Sequence, residues 1–133
     1  MGSYFLDGTP VLEIAIRNPF LNKTFPAEGK VVAIIDTGFE GFLLVPKDVF
    51  EKLSLDQLSV DKRRLILADG QYTQSIGTYG EVVIPNFNVK FDGFIETIRG
   101  VEEIVIGTGL MENLKLILDY CTRRIEIEAC KKP

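Results

Sequence analysis

Histidine and tryptophan are absent from the 133 residues. The missing histidine removes in one step the Ser-His-Asp triad, the Cys-His pair and the His-ligated zinc site. Acid–base chemistry must therefore rest on carboxylates, lysine, tyrosine or cysteine. Cysteine is scarce too: Cys121 and Cys130 make neither a CxxC pair nor a disulfide-rich framework, and they read as free thiols of a reducing compartment. Clustered cations are missing. With 15 Lys and Arg against 19 Asp and Glu, the net charge is −4, which argues against a nucleic-acid partner. No apolar run approaches the ~20 residues of a membrane span. Met1 to Asp7 meets an acid before any long apolar segment forms, and Leu6 stands where a myristoylation pattern wants Ser or Thr. The expectation is a cytoplasmic protein with no membrane association and no cofactor or metal.

What is present is a chain 46% apolar and 26% charged, enough for one globular domain over 1–133 with a sizeable core. Abundant Ile, Glu and Lys with little Gln would suit a thermophile. Val11–Arg17 reads as a strand that stops at Asn18-Pro19, and 24–29 reads as loop. Lys30–Ile35 is a continuous apolar run, predicting a fully buried strand. Phe42–Val45 is a short apolar run, and Pro46 with Asp48 opens a short helix whose Val49, Phe50 and Leu53 share a face. Asp69-Gly70 predicts a tight hairpin between Leu65–Ala68 and Tyr72–Ile76. Gly77 and Gly80 set off a further strand, Glu81–Ile84, and Asp92-Gly93 predicts a second hairpin between Val89–Phe91 and Phe94–Glu96. Ile104–Ile106 leads into Gly107-Thr108-Gly109, a helix-like Leu110–Leu114, a strand Leu116–Tyr120 and an alternating, half-buried Ile125–Glu128. The expected class is mainly β with one or two short helices.

One stretch raises a question of chemistry. Val31-Val32-Ala33-Ile34-Ile35 runs straight into Asp36-Thr37-Gly38, a carboxylate at the end of an apolar strand. Burying an ionised carboxylate costs several kcal/mol unless it is paired, so the position is either neutralised by a partner or kept for chemistry. Asp36-Thr37-Gly38 can also be a plain strand-ending turn, in which Asp caps and Gly takes positive φ. Glu102-Glu103, Glu126 and Glu128 read as solvent-facing acids, and Tyr79 and Tyr120 as packing residues.

Ile34-Ile35-Asp36-Thr37-Gly38, taken with Val105-Ile106-Gly107-Thr108-Gly109-Leu110-Met111 later in the chain, resembles the retropepsin-like (clan AA) aspartic proteases. Their half-barrel carries one Asp-Thr/Ser-Gly loop and a later apolar-apolar-Gly strand followed by a short helix; the likeness spans about Val11 to Ile127. Phe39-Glu40-Gly41, followed by an apolar strand ending in Pro46, looks like a prokaryotic, largely archaeal branch of that clan. Thr108 stands where the retroviral enzymes place an arginine, so no arginine staple across a dimer carries over.

The resemblance implies a closed half-barrel that acts as a homodimer on a peptide or protein substrate, because one carboxylate per chain cannot be general acid and general base at once. Asp36 of each chain would face its mate about 3 Å away, and the pair would share one proton. The ionised member takes a proton from water while the protonated one donates to the scissile carbonyl. Gly38 would offer its N–H to the carboxylate, and Thr37 would bond backbone across the two-fold axis. Phe39 would narrow the cleft, and Asp69, Gly70, Gln71 and Tyr72 would form a flap tip over an extended peptide. Ile106 and Gly107 would pack beneath the loop.

Other classes fit less well. A catalytically silent protease-fold dimer that binds peptides or mediates assembly would show the same motifs. Phosphoryl transfer through an aspartyl nucleophile wants a second Asp where Gly38 stands, and no second acid pairs with Asp36 for glycoside hydrolysis.

Overall fold

The structure is a computed structural model and describes residues 2–67 and 69–130. It is mainly β. Strand β1 (Ser3–Leu6) turns into β2 (Thr9–Asn18) through Asp7-Gly8, both with positive φ, as a two-residue hairpin requires. After β3 (Lys23–Phe25) comes β4 (Val31–Ile35), then β5 (Leu43–Leu44) and helix α1 (Lys47–Lys52). A long hairpin follows, β6 (Asp61–Ile66) with β7 (Tyr72–Ile84), and a 3-10 turn at Pro85–Phe87 leads into β8 (Val89–Thr97). Strand β9 (Val105–Ile106), helix α2 (Thr108–Met111) and the hairpin β10 (Leu114–Asp119) with β11 (Arg124–Ala129) complete the order.

Among the described residues nine strands form one sheet, ordered β1-β2-β4-β9-β5-β8-β7-β6 with β3 on β2, while β10 and β11 pair separately. Strand β2 also pairs with β7, Ala15 opposite Val83, so the path from β2 through β4, β9, β5, β8 and β7 returns to β2. The strands of that path contribute Leu12, Ile14, Ile16, Ala33, Leu43, Val82, Ile84, Ile95 and Ile106 to the buried core, all at most 1% exposed. Each large apolar side chain among them contributes roughly 1.5–3 kcal/mol by leaving water. Helix α1 adds Val49 and Phe50 to this core, with Pro46 at its N-cap. The Asn18-Pro19 stop is held by Asn18, wholly buried: its side-chain amide donates to Leu53 O at 2.8 Å and its Oδ1 accepts from Phe20 and Leu21 N–H.

Four expectations need correction. Asp92-Gly93 makes no turn; β8 runs through it, Gly93 facing Gly80 of β7. A Cβ at Gly93 would lie 2.5 Å from the Phe42 ring, so this glycine serves close packing. Gly77 and Gly80 likewise do not break β7, which carries Glu81–Ile84 in one 13-residue strand. Asp69-Gly70 does end the β6–β7 hairpin, but Leu67 N–H donates to Gln71 O and Gly70 N–H to Leu67 O, so the turn is wider than two residues, with Gly70 left-handed and Asp69 not. Ala68 lies outside the described residues. Strand β4 is half-buried rather than fully buried: Val31, Val32 and Ile34 border a hollow of about 560 Å³ rimmed by Asp7, Asp48, Glu102 and Glu103. Strands β1 and β3 were not expected.

Candidate functional site

Strand β4 delivers Asp36 to the surface. Its N–H donates to Ile106 O at 3.0 Å, extending the parallel β4–β9 pair by one bond, and its carbonyl accepts from Phe39 N–H at 3.2 Å. The carboxylate Oδ1 accepts from Gly38 N–H at 2.8 Å. A Cβ at Gly38 would sit 3.2 Å from that same oxygen, so glycine leaves the donor room. Asp36, Thr37 and Gly38 are all exposed, and the ion pairs among the described residues do not include Asp36. Among the described residues of one chain, the carboxylate at the end of the apolar strand is exposed and has no cationic partner.

The two motifs that the sequence separates by about seventy residues are laced together. Gly107 N–H donates to Phe42 O at 3.2 Å, Thr108 N–H to Phe39 O at 2.8 Å and Gly109 N–H to Gly41 O at 3.0 Å. A Cβ at Gly107 would lie 2.1 Å from Gly41 O and 2.6 Å from the Phe39 ring, so Gly107 lets the turn press directly against the Asp36 loop. Ile106, 1% exposed, sits beneath in the core. Backbone bonds of this kind fix the loop without spending a side chain.

Asp36, Gly38, Phe39 and Glu40 form one wall of a cleft of about 680 Å³. The facing wall is Arg63–Leu67 of β6 and its turn, with Leu44, Ile98 and Val105 between. The expected tip residues Asp69, Gly70, Gln71 and Tyr72 lie at the far end of the hairpin, exposed and outside the cleft lining. Asp69 Oδ1 accepts from Gln71 N–H at 2.9 Å, a turn-stabilising bond, and Tyr72 stacks under the Arg64 guanidinium at 5.0 Å. Phe39 is the one expected substrate-contact residue that lines the cleft. Thr37, exposed, is not part of the lining.

Sequence reasoning passed over the residues of β6 and a buried carboxylate behind them. Glu96, 0% exposed, accepts a two-pronged bond from Arg63, Nε to Oε1 at 3.1 Å and Nη2 to Oε2 at 3.0 Å, and the Ser75 hydroxyl donates to Oε1 at 2.6 Å. The signal was available: Phe94-Ile95-Glu96-Thr97 repeats the pattern of an acid closing an apolar run. Among the described residues no three His, Cys, Asp or Glu gather to hold a metal, and no helix is long and apolar enough to cross a membrane. Cys121 and Cys130 are free and exposed.

No family model matches the chain, and no solved structure matches it. An uncharacterized protein of Archaeoglobus fulgidus is 52% identical over 126 residues, 95% of this chain and 98% of that protein. The chain belongs to the same family as that archaeal protein.

Proposed function

We propose that the chain is one half of a dimeric aspartic endopeptidase, in which Asp36 from each of two copies activates water against a peptide bond. One observation carries this reading: the exposed Asp36 carboxylate, held by Gly38 N–H and laced to the Gly107 turn, stands on the wall of a cleft faced by a long hairpin. A two-fold partner would bring a second Asp36 opposite the first, and like-charge repulsion would leave one proton between them. The ionised carboxylate would take a proton from the bound water as it attacks, and the protonated one would donate to the carbonyl oxygen, giving a tetrahedral diol with no acyl-enzyme.

The cycle of pairings through β2 and β7 supports a closed half-barrel, and the apolar Ile66, Leu67 and Tyr72, 39–69% exposed near the hairpin tip, support a hairpin that closes on something. The relative is archaeal, as is most of the branch that the motif resembles. Two exposed, unbridged cysteines suit a reducing cytoplasm.

The test is cleavage of a diverse peptide library across about pH 3 to 7 by the wild type and Asp36→Asn, beside sedimentation to read the dimer. Isosteric Asn should leave fold and association intact and lower turnover by on the order of ten-thousandfold. Equal cleavage by both proteins would dismiss the dyad. Peptide binding without cleavage by a folded dimer would instead point to a silent protease-fold binding module.

A further inference from the structure

The Glu96 carboxylate holds Arg63 of one cleft wall and lies against Gly41, which follows Phe39 and Glu40 of the other. On the hairpin side it holds Arg63 of β6 by two bonds and Ser75 of β7 by one, and Arg63 and Ser75 face each other across the β6–β7 ladder. Ser75 Oγ also lies 3.3 Å from Arg63 O, so the three groups form one knot at the base of the hairpin. On the other side Oε2 abuts Gly41: a Cβ there would be 2.6 Å from Oε2 and 2.3 Å from the Phe39 ring. Gly41 is the residue whose carbonyl accepts from Gly109, in the lacing that fixes the Asp36 loop. The main chain of Glu96 is itself held in the sheet, paired with Leu44 and Gly77 and accepting from Val45 N–H at 2.9 Å.

We propose that Glu96 is a positioning residue: through Arg63 and Ser75 it latches the β6–β7 hairpin at a set height above Asp36. The Arg63 fork is what makes this directional. A planar guanidinium bound by two parallel bonds fixes an angle as well as a distance, which a single-point lysine contact does not. Arg63 is also a member of the cleft wall, so its aliphatic stem is placed by the same bonds that hold the hairpin. The remainder of β6 has no such anchor; Ile66 is 69% exposed and Tyr72 opposite it 62%. The hairpin is thus pinned at its base and open at its tip. That its height matters to turnover rests on the endopeptidase reading, since a misplacement of about 1 Å can cost a hundredfold in rate.

The experiment is residue-resolved amide hydrogen exchange on the full chain, wild type against Glu96→Gln and Arg63→Lys, with peptide-cleavage kinetics on the same samples. Glutamine keeps the shape and loses the charge; lysine keeps the charge and loses the fork. Exchange of amides in 63–75 is expected to accelerate at least about tenfold in Glu96→Gln and less in Arg63→Lys, while amides of β2 and β4 keep their wild-type rates. Cleavage should fall through kcat, by roughly ten- to a hundredfold, with the same order between the two variants. Unchanged hairpin exchange in both variants, or equal acceleration throughout the molecule, overturns the latch. A wild type that cleaves nothing overturns the endopeptidase reading, and the exchange data still decide the latch. If Glu96→Gln does not fold, Arg63→Lys decides alone: selective acceleration of 63–75 upholds the latch, and its absence removes it.

Discussion

Ile35-Asp36-Thr37 and Ile95-Glu96-Thr97 carry one pattern, an acid between an isoleucine that ends an apolar run and a threonine, and they meet opposite fates. Asp36 opens to solvent with a backbone N–H as its partner, and Glu96 is 0% exposed with three side-chain donor bonds. Elementary energetics allows these two outcomes for a carboxylate at the end of a strand: satisfied inside or solvated outside. The difference lies in what comes next. After Asp36 the chain leaves the sheet and loops back, whereas Glu96 stays in a strand with partners on both sides. A fully satisfied carboxylate has its lone pairs committed to the fold, and an unpaired one at a cleft wall is available to a second molecule.

The sharpest way to break this contrast is to truncate each acid in turn. Glu96→Ala leaves the Arg63 guanidinium without its acceptor and the Ser75 hydroxyl with Arg63 O alone, and should cost about 3–5 kcal/mol, nearer the lower figure because Arg63 is 38% exposed. Thermal unfolding should register a fall of roughly ten degrees or more. Asp36→Ala should change stability by no more than about 0.5 kcal/mol. Similar losses at both sites would mean that Asp36 is structural too.

A smaller effect separates the charge from the shape. Replacing the pair together, Glu96→Leu with Arg63→Met, removes two charges instead of stranding one, and should recover most of the stability lost in Glu96→Ala. Ser75 keeps Arg63 O as an acceptor. Denaturant unfolding of the single and double variants completes the cycle, and a double variant as weak as the single one would show that the ion pair itself supplies stability.

The smallest expected effect concerns a third acid, Asp119, the last residue of β10, which caps the turn into β11. Its Oδ2 accepts from the Thr122 hydroxyl at 2.6 Å and its Oδ1 from the Thr122 and Cys121 N–H groups, and these bonds, Thr122 first, hold its carboxyl below the usual 3.8 with help from Arg124. Because the folded value is depressed, the turn's contribution is complete above the ordinary Asp range and fades as pH falls through the lower, folded value. Amide shifts of Cys121 and Thr122 followed against pH should move with a midpoint under 3.8. A midpoint at or above it would mean the turn is open in solution. Asp119 lies at the surface, only partly covered, so the consequence for global stability is slight.

Three Asp-Gly dipeptides mark how far local sequence reaches. Asp7-Gly8 makes the tight hairpin turn that the pair favours, Asp69-Gly70 makes a wider one, and Asp92-Gly93 lies flat in β8 because the Phe42 ring needs the space a side chain would fill. The dipeptide encodes permission to turn, and tertiary packing decides whether the permission is used. Strands β2 and β4 and helix α1 were legible because period, proline and capping position are local. That Gly107 packs near the Asp36 loop was expected only through a family likeness between two distant motifs, and its approach to Gly41 was not expected at all. The Arg63–Glu96 pair was not legible at all, since nothing in either segment says that residues 33 positions apart face one another.

Strand β2 pairs with β1 and β3, its neighbours in sequence, and with β7 at the far side of the chain. Strand β4, for its part, must wait for β9, seventy-odd residues on, before Ile106 can accept from Asp36 N–H. Timing follows from this layout. Pairings so remote are slow to form, and in a chain growing from its N-terminus the Gly107 turn is made about seventy residues after the Asp36 loop. A nascent chain that ends before residue 107 carries its Asp-Thr-Gly loop with no turn to hold it. Synthesis order therefore keeps the carboxylate unframed until the Gly107 turn has been made, some seventy residues later.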